Sequence, residues 1–223
     1  MKPTINTGAY GWHHPHWLDT FYPDDLPADW RLGYYSNEFN AVLIPADYWP
    51  AGFMLESEGW LDQVHPGFQF YIECHERMFD NCTLAEIEVA LTPLLPQVSG
   101  LVLSACMETR IANDDRFIEL ADALAVDVFT SGVNPAVRSG VQRLWCPGQA
   151  DEDVPLSSTY AHLAIIEDSL CDLRATRSVI EPFLEQLPDD ETGSAAATVI
   201  VSHSELRASD LNKFRSVLEI MGY

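Results

Sequence analysis

Short apolar runs recur along the chain at regular intervals. They are Thr4–Tyr10, Ala41–Ala46, Gln69–Cys74, Gly100–Ala105, Val126–Thr130, Val141–Cys146, His162–Ile166 and Thr198–Ser202. Each is rich in Val, Ile, Leu and aromatic residues and alternates little with polar ones, which is how strands buried on both faces read. Between them the apolar positions shift to helical spacing. Asp29–Phe39 carries Trp30, Tyr34 and Tyr35 on that spacing. Thr83-Leu84-Ala85-Glu86 is a capping box, and it opens a stripe of Leu84, Ile87, Ala90, Leu91 and Leu94. Asn113 is placed to cap Asp114–Leu124, Asp172–Leu187 is amphipathic with Pro182 expected to kink it, and Ser209–Met221 puts Leu211, Phe214, Leu218 and Met221 on one face. Strands and helices alternate at about 28 residues per unit, the spacing of a small barrel of eight parallel strands. The pattern predicts an α/β fold of the (β/α)8 TIM-barrel type, one domain over residues 1–223. The crossover Pro50–Val64 and the helix near Asn134–Ser139 are short, so the barrel is expected to be irregular or shortened on one side.

Charge narrows the functions such a barrel can have. The chain has 223 residues, with 12 Lys and Arg against 34 Asp and Glu, a net charge of −22. Phosphate backbones and anionic membrane surfaces are bound through Lys and Arg, so neither nucleic acid nor membrane is expected as a partner. With 47% hydrophobic and 11% aromatic residues the chain can build a sizeable core, and no run is apolar enough to span a bilayer. Cys74, Cys82, Cys106, Cys146 and Cys171 are scattered and odd in number, as suits reduced thiols. The first residues lack an apolar signal core, and together these features point to the cytoplasm.

In a barrel of this type, functional side chains stand at the carboxyl ends of the strands. The first run delivers Trp12, His13, His14, His16 and Trp17, and the second delivers Asp47, Tyr48 and Trp49. The third delivers Glu73, Cys74, His75 and Glu76, the fourth Cys106 and Glu108, the seventh Glu167 and Asp168, and the eighth Ser202 and His203. Histidine and carboxylate together suit acid–base chemistry and metal ligation near neutral pH. Glu73, His75, Glu108 and His203 are the catalytic candidates. Trp12, His13, His14, Trp17, Asp47 and Tyr48 are the ligand-binding candidates, with a small molecule as the expected partner. His13, His75, His203 and Glu167 are the candidates for a divalent metal, although no compact ligand motif joins them. Alternation along the third run places Glu73 and His75 on one side and Cys74 on the other, with Glu73 inward at the wetter mouth.

The opening carries a motif as well. Gly8-Ala9-Tyr10-Gly11-Trp12, then Trp17, Phe21-Tyr22-Pro23, Leu32-Gly33-Tyr34-Tyr35 and the strand from Ala41 resemble the start of the YecE-like family, domain of unknown function 72. The resemblance implies the same barrel and, at Gly11, Trp12, Trp17, Tyr22 and Tyr35, residues with a structural role. It names no reaction. It is strong over residues 5–49 and then weakens. Where the family resembles Lys and Arg on its third strand, this chain has Glu73 and Glu76, and Ser104 and Val201-Ser202-His203 also depart from the pattern. A mouth changed from basic to acidic no longer suits an anionic ligand. Two readings follow: a divergent family member whose ancestral ligand site is altered or lost, or a metal-dependent hydrolase or isomerase that uses the His- and Glu-rich mouth.

Overall fold

Eight parallel strands close into a barrel in the computed structural model, each strand hydrogen-bonded to its neighbours in sequence and the eighth to the first. The structure describes residues 2–48, 57–75, 78, 82–103, 115–130, 141–147, 162–189 and 196–223. Trp49, Glu76, Ser104, Cys106, Glu108, Asn113 and the short helix expected near 134–139 lie outside the described residues. The strands are β1 Thr4–Tyr10, β2 Ala41–Ile44, β3 Gln69–Cys74, β4 Val98–Leu103, β5 Asp127–Thr130, β6 Val141–Trp145, β7 Leu163–Ile166 and β8 Ala196–Val201. The helices are α1 Arg31–Ser36, α2 Trp60–Gln63, α3 Leu84–Leu91, α4 Asp115–Leu124, α5 Leu173–Gln186 and α6 Ala208–Ile220.

Strict alternation sorts each strand into two faces. Ala41, Leu43, Tyr71, Val102, Phe129, Leu144, Leu163 and Ile200 point inward and fill the lumen, with Tyr10, Cys146 and Ile165 packed against them. Ile5, Ala9, Val42, Ile44, Phe70, Ile72, Cys74, Leu101, Leu103, Val199 and Val201 point outward into the larger core beneath the helices. The lumen is full because Gly100 makes room in it: a Cβ there would lie 2.4 Å from the Phe129 ring. At the amino end of the barrel the inward polar residues satisfy one another. Asn6 Nδ2 donates to Gln69 Oε1 at 3.0 Å, Thr198 Oγ1 to the same oxygen at 2.9 Å, and Tyr71 Oη to Thr198 Oγ1 at 3.0 Å.

The elements differ from the sequence reading where backbone chemistry outweighs hydropathy. β2 stops at Ile44 because Pro45 has no amide to give the ladder. β4 starts at Val98 rather than Gly100, and its pairing with β3 slips between Phe70 and Tyr71, passing over Ser99. α3 carries the expected capping box, with both Thr83–Glu86 hydrogen bonds present. α5 starts at an Asp172 cap and runs through Pro182. Among the described residues the β2–β3 crossover holds 3-10 turns at Ala46–Tyr48 and Ser57–Gly59 and the four-residue α2. β6 and β7 share just two register pairs, Leu144 with Leu163 and Trp145 with Ala164. Among the described residues, no helix is long and apolar enough to cross a membrane.

Candidate functional site

The conspicuous opening motif builds a support. Gly11, at φ +74°, turns the chain off β1 in a conformation that favours glycine. Trp12, Trp17, Tyr22 and Tyr35 are all buried. Each of the three that follow Trp12 spends its polar atom on backbone. Trp17 Nε1 donates to the Leu206 carbonyl at 2.6 Å, and Tyr22 Oη donates to the Trp12 carbonyl at 2.6 Å. Tyr35 Oη accepts from the Ala9 amide at 2.8 Å and donates to the Ala41 carbonyl at 2.7 Å. His16 Nε2 joins Trp17 on the Leu206 carbonyl. The loop after β1 is thereby tied to β2 and to the loop before α6. Trp12 lies edge-on to Trp60 at 5.0 Å and against Tyr48 at 5.4 Å. Trp12 and Trp17, two of the six ligand-binding candidates, therefore stand behind the site.

On that support a pocket of about 520 Å³ opens at the carboxyl end of the barrel. Its walls come from three adjacent strand ends: Tyr10, Gly11, His13, His14 and Pro15 after β1; Pro45, Asp47 and Tyr48 after β2; Ser202, His203 and Ser204 after β8. His13, His14, Asp47, Tyr48 and His203 are candidates from the sequence, and the structure gathers them. Among the described residues, Tyr10, Gly11, Pro15, Pro45, Ser202 and Ser204 make up the rest of the lining. Tyr10 was hidden by its position inside an apolar run. Alternation supplied the missing signal, since Tyr10 is the last residue of β1 on the inward phase of Asn6 and Gly8.

Glu73 points inward, as its phase requires, and Cys74 is buried in the outer core. Glu73 Oε2 accepts from Tyr10 Oη at 2.5 Å and from the Ala46 amide at 3.0 Å. That amide opens the 3-10 turn Ala46–Tyr48, which presents Asp47 and Tyr48. Glu73 thus links three strands from behind the lining. Burial first, then the Glu73 carboxylate, pushes the Tyr10 hydroxyl pKa well up and keeps it protonated.

His13 and His14 are held neutral. Burial lowers the pKa of His13 and the charge of Arg31 lowers it further, against a hydrogen bond to the Ala28 carbonyl. Burial and then His16 push His14 down to about 4, against the carbonyls of Tyr10 and Gly11. His13 Nδ1 meets Tyr48 Oη at 2.6 Å. His203 Nδ1 accepts from the Glu205 amide at 3.1 Å, which puts its proton on Nε2. His75 follows the end of β3, half-buried, and Glu167 follows β7, exposed; neither lines the pocket. Among the described residues no three His, Cys, Asp or Glu are grouped to hold a metal ion.

Residues 6–110, which take in most of β1 and all of β2 to β4, match the family model described as "Protein of unknown function DUF72". The chain is similar in structure to a DUF72 family protein from Thermotoga maritima, at 12% identity and a TM-score of 0.61, with 97% of this chain and 99% of that chain covered. It is similar to a DUF72 family protein from Enterococcus faecalis at 10% identity and a TM-score of 0.61, covering 97% of this chain and 96% of that one. At these identities the likeness concerns the fold. No curated protein matches the sequence.

Proposed function

We propose, for a chain whose residues 6–110 belong to the DUF72 family of unknown function, that the barrel is a small-molecule-binding module. Its site is the pocket between the ends of β1, β2 and β8. The observation that carries this reading is the convergence of His13, His14, Asp47, Tyr48 and His203 on one concavity at the carboxyl end of the barrel. That end is where such folds place their ligands, and a few convergent polar groups in a largely preformed cleft are what a ligand site needs. Among the described residues no Lys or Arg lines the pocket, so phosphorylated and carboxylated ligands find no cation among them to neutralise their charge. The altered mouth is thus read as a changed specificity. The module works in a reducing, cytoplasmic setting, a reading supported by Cys74, Cys82 and Cys171, which are free thiols.

A fragment screen followed through the histidine ring signals in NMR tests the reading. Binding fragments are expected to shift His13, His14 and His203 and to leave His65, in the loop before β3 at the opposite end, unchanged. If the fragments move His65 as much as the pocket histidines, or move none of them, the reading fails.

A further inference from the structure

We infer that Glu73 is the positioning residue of the pocket. It clasps the wall that carries Asp47 and Tyr48 to the wall that carries Tyr10, and it does so through one oxygen atom. The inference rests on the small-molecule reading above and says what gives that site its shape. Glu73 is not among the lining residues, so it acts on a ligand through the groups it holds.

The register of the barrel shows why a side chain is needed here. β2 pairs with β3 as far as Ile44 with Ile72, and the ladder ends there because Pro45 has no amide. Beyond that point β3 runs on, with Glu73 and Cys74 paired to Val102 and Leu103 of β4. Glu73 is the first residue of β3 past the last pair, and it shares the inward phase of Tyr71. Its Oε2 accepts the Ala46 amide at 3.0 Å, the first amide after the proline. On the other side of β2, β1 ends at Tyr10, which is paired with Leu43. Tyr10 Oη crosses the end of β2 and donates to the same Oε2 at 2.5 Å. β1 and β3 are thus joined over β2 at the level where the pairing of β2 with β3 has stopped.

The turn anchored in this way is small. Ala46–Tyr48 is a single 3-10 turn, closed by the Tyr48 amide on the Pro45 carbonyl at 3.1 Å. One short turn has little hydrogen bonding of its own to fix its direction. The group that holds its first amide therefore sets where Asp47 and Tyr48 stand. Tyr48 Oη meets His13 Nδ1 at 2.6 Å, which carries the connection on to the loop after β1. The clasp needs an acceptor in one place more than it needs a charge. A hydroxyl and an amide converge on one oxygen, and the two lone pairs of that oxygen serve both. The oxygen of a glutamine side chain can take the same position, with somewhat weaker bonds.

Four variants of the intact protein test the clasp: Glu73→Gln, Glu73→Ala, Tyr10→Phe and the double variant Tyr10→Phe/Glu73→Ala. Hydrogen exchange at the Ala46 amide and the ring signals of His13 and His65 are followed by NMR. Glu73→Ala is expected to speed exchange at Ala46 about tenfold and to shift His13, while His65 at the opposite end stays put. Glu73→Gln is expected to keep both close to the wild type. Tyr10→Phe keeps the ring in the wall and loses the hydroxyl, and is expected to speed Ala46 about threefold and to shift His13 in the same sense. The double variant is expected to match Glu73→Ala, because Tyr10 acts on the turn through Glu73. If His13 keeps its wild-type position in Glu73→Ala, the positioning role is overturned. If Glu73→Gln behaves as Glu73→Ala does, charge and not the single oxygen holds the turn, and the inference falls. It falls too if the effects of Tyr10→Phe and Glu73→Ala add. Should Glu73→Ala not fold, a His13 signal unmoved in Tyr10→Phe overturns the clasp by itself. The fragment screen fails separately: a wild type whose pocket histidines no fragment moves overturns the site reading, whatever the variants do.

Discussion

Tyr35 shows what a single hydroxyl does in this fold. It stands between β1 and β2, taking the Ala9 amide at 2.8 Å and giving to the Ala41 carbonyl at 2.7 Å, with no exposure to solvent. Removing the hydroxyl leaves a buried donor and a buried acceptor without partners. Tyr35→Phe is therefore expected to cost about 2 kcal/mol in urea unfolding. A loss below about 0.5 kcal/mol would mean that the two strands close the gap themselves. His14 governs a different property. Its pKa falls from 6.5 in the open chain to about 4 in the fold. Above 6.5 the ring is neutral in both states and stability does not depend on its titration. As the pH drops from 6.5 toward 4, the unfolded chain binds a proton that the folded chain refuses, and stability is lost. After a discount for the ring's partial exposure, the loss is about 2 kcal/mol. The difference in unfolding free energy between the wild type and His14→Asn should shrink by that amount across the same window, and a difference that is flat with pH would refute the shift. The sequence disclosed the pocket residues that follow strand ends, because a barrel puts such residues at its mouth. Position after the strand alone did not separate His14, which lines the pocket, from Trp17, which supports it; the resemblance did, by implying a structural role for Trp17. Both are aromatic residues in one loop, and in the fold the turn at Gly11 and the bond from Trp17 to Leu206 set which way they face.

The strands are legible because a barrel buries them twice. β1 and β3 have the bounds their apolar runs predict. What hydropathy misses is the backbone's own chemistry. Nothing apolar distinguishes Ile44 from Pro45, yet the ladder ends between them for want of an amide. Ser99 looks like the polar edge of a strand and is the residue the register passes over. Pro182 is a further case. A proline in the third turn of a helix removes one hydrogen bond and was expected to distort α5. The helix continues because Pro182 and Ser178, whose carbonyl loses its donor, are both on the exposed side, where solvent serves that carbonyl. Ile180, Phe183 and Leu184 meanwhile hold the opposite face in the core. Position on the helix circumference, which the sequence does give, therefore decides what a proline costs.

Over the whole molecule the excess of acid sets the sign of the long-range field. Net charge is −22, and at physiological salt it acts within about a Debye length, ~8 Å, of the surface. Affinity for duplex nucleic acid comes mainly from Lys and Arg that displace counterions from phosphates. Here several of the described cations are already engaged. Lys213 pairs with Asp210 at 2.7 Å, Arg177 with Glu181 at 2.8 Å, and Arg215 approaches Glu219 at 4.0 Å. Lys2 is held by the Met221 carbonyl at 3.0 Å and lies over the Tyr223 ring. To reach phosphates these side chains would have to leave their partners and bring the surrounding carboxylates along with them. We therefore expect no retarded band in a gel-shift titration of duplex DNA at physiological salt, even at micromolar protein, and a band at that concentration would show that a local basic surface outweighs the net charge. The same field draws small cations toward the surface, and at the end of β2 it reinforces Asp47. Field and pocket are thus expected to act on charge in the same sense, since Asp47 is the carboxylate that the described lining contributes at the end of β2.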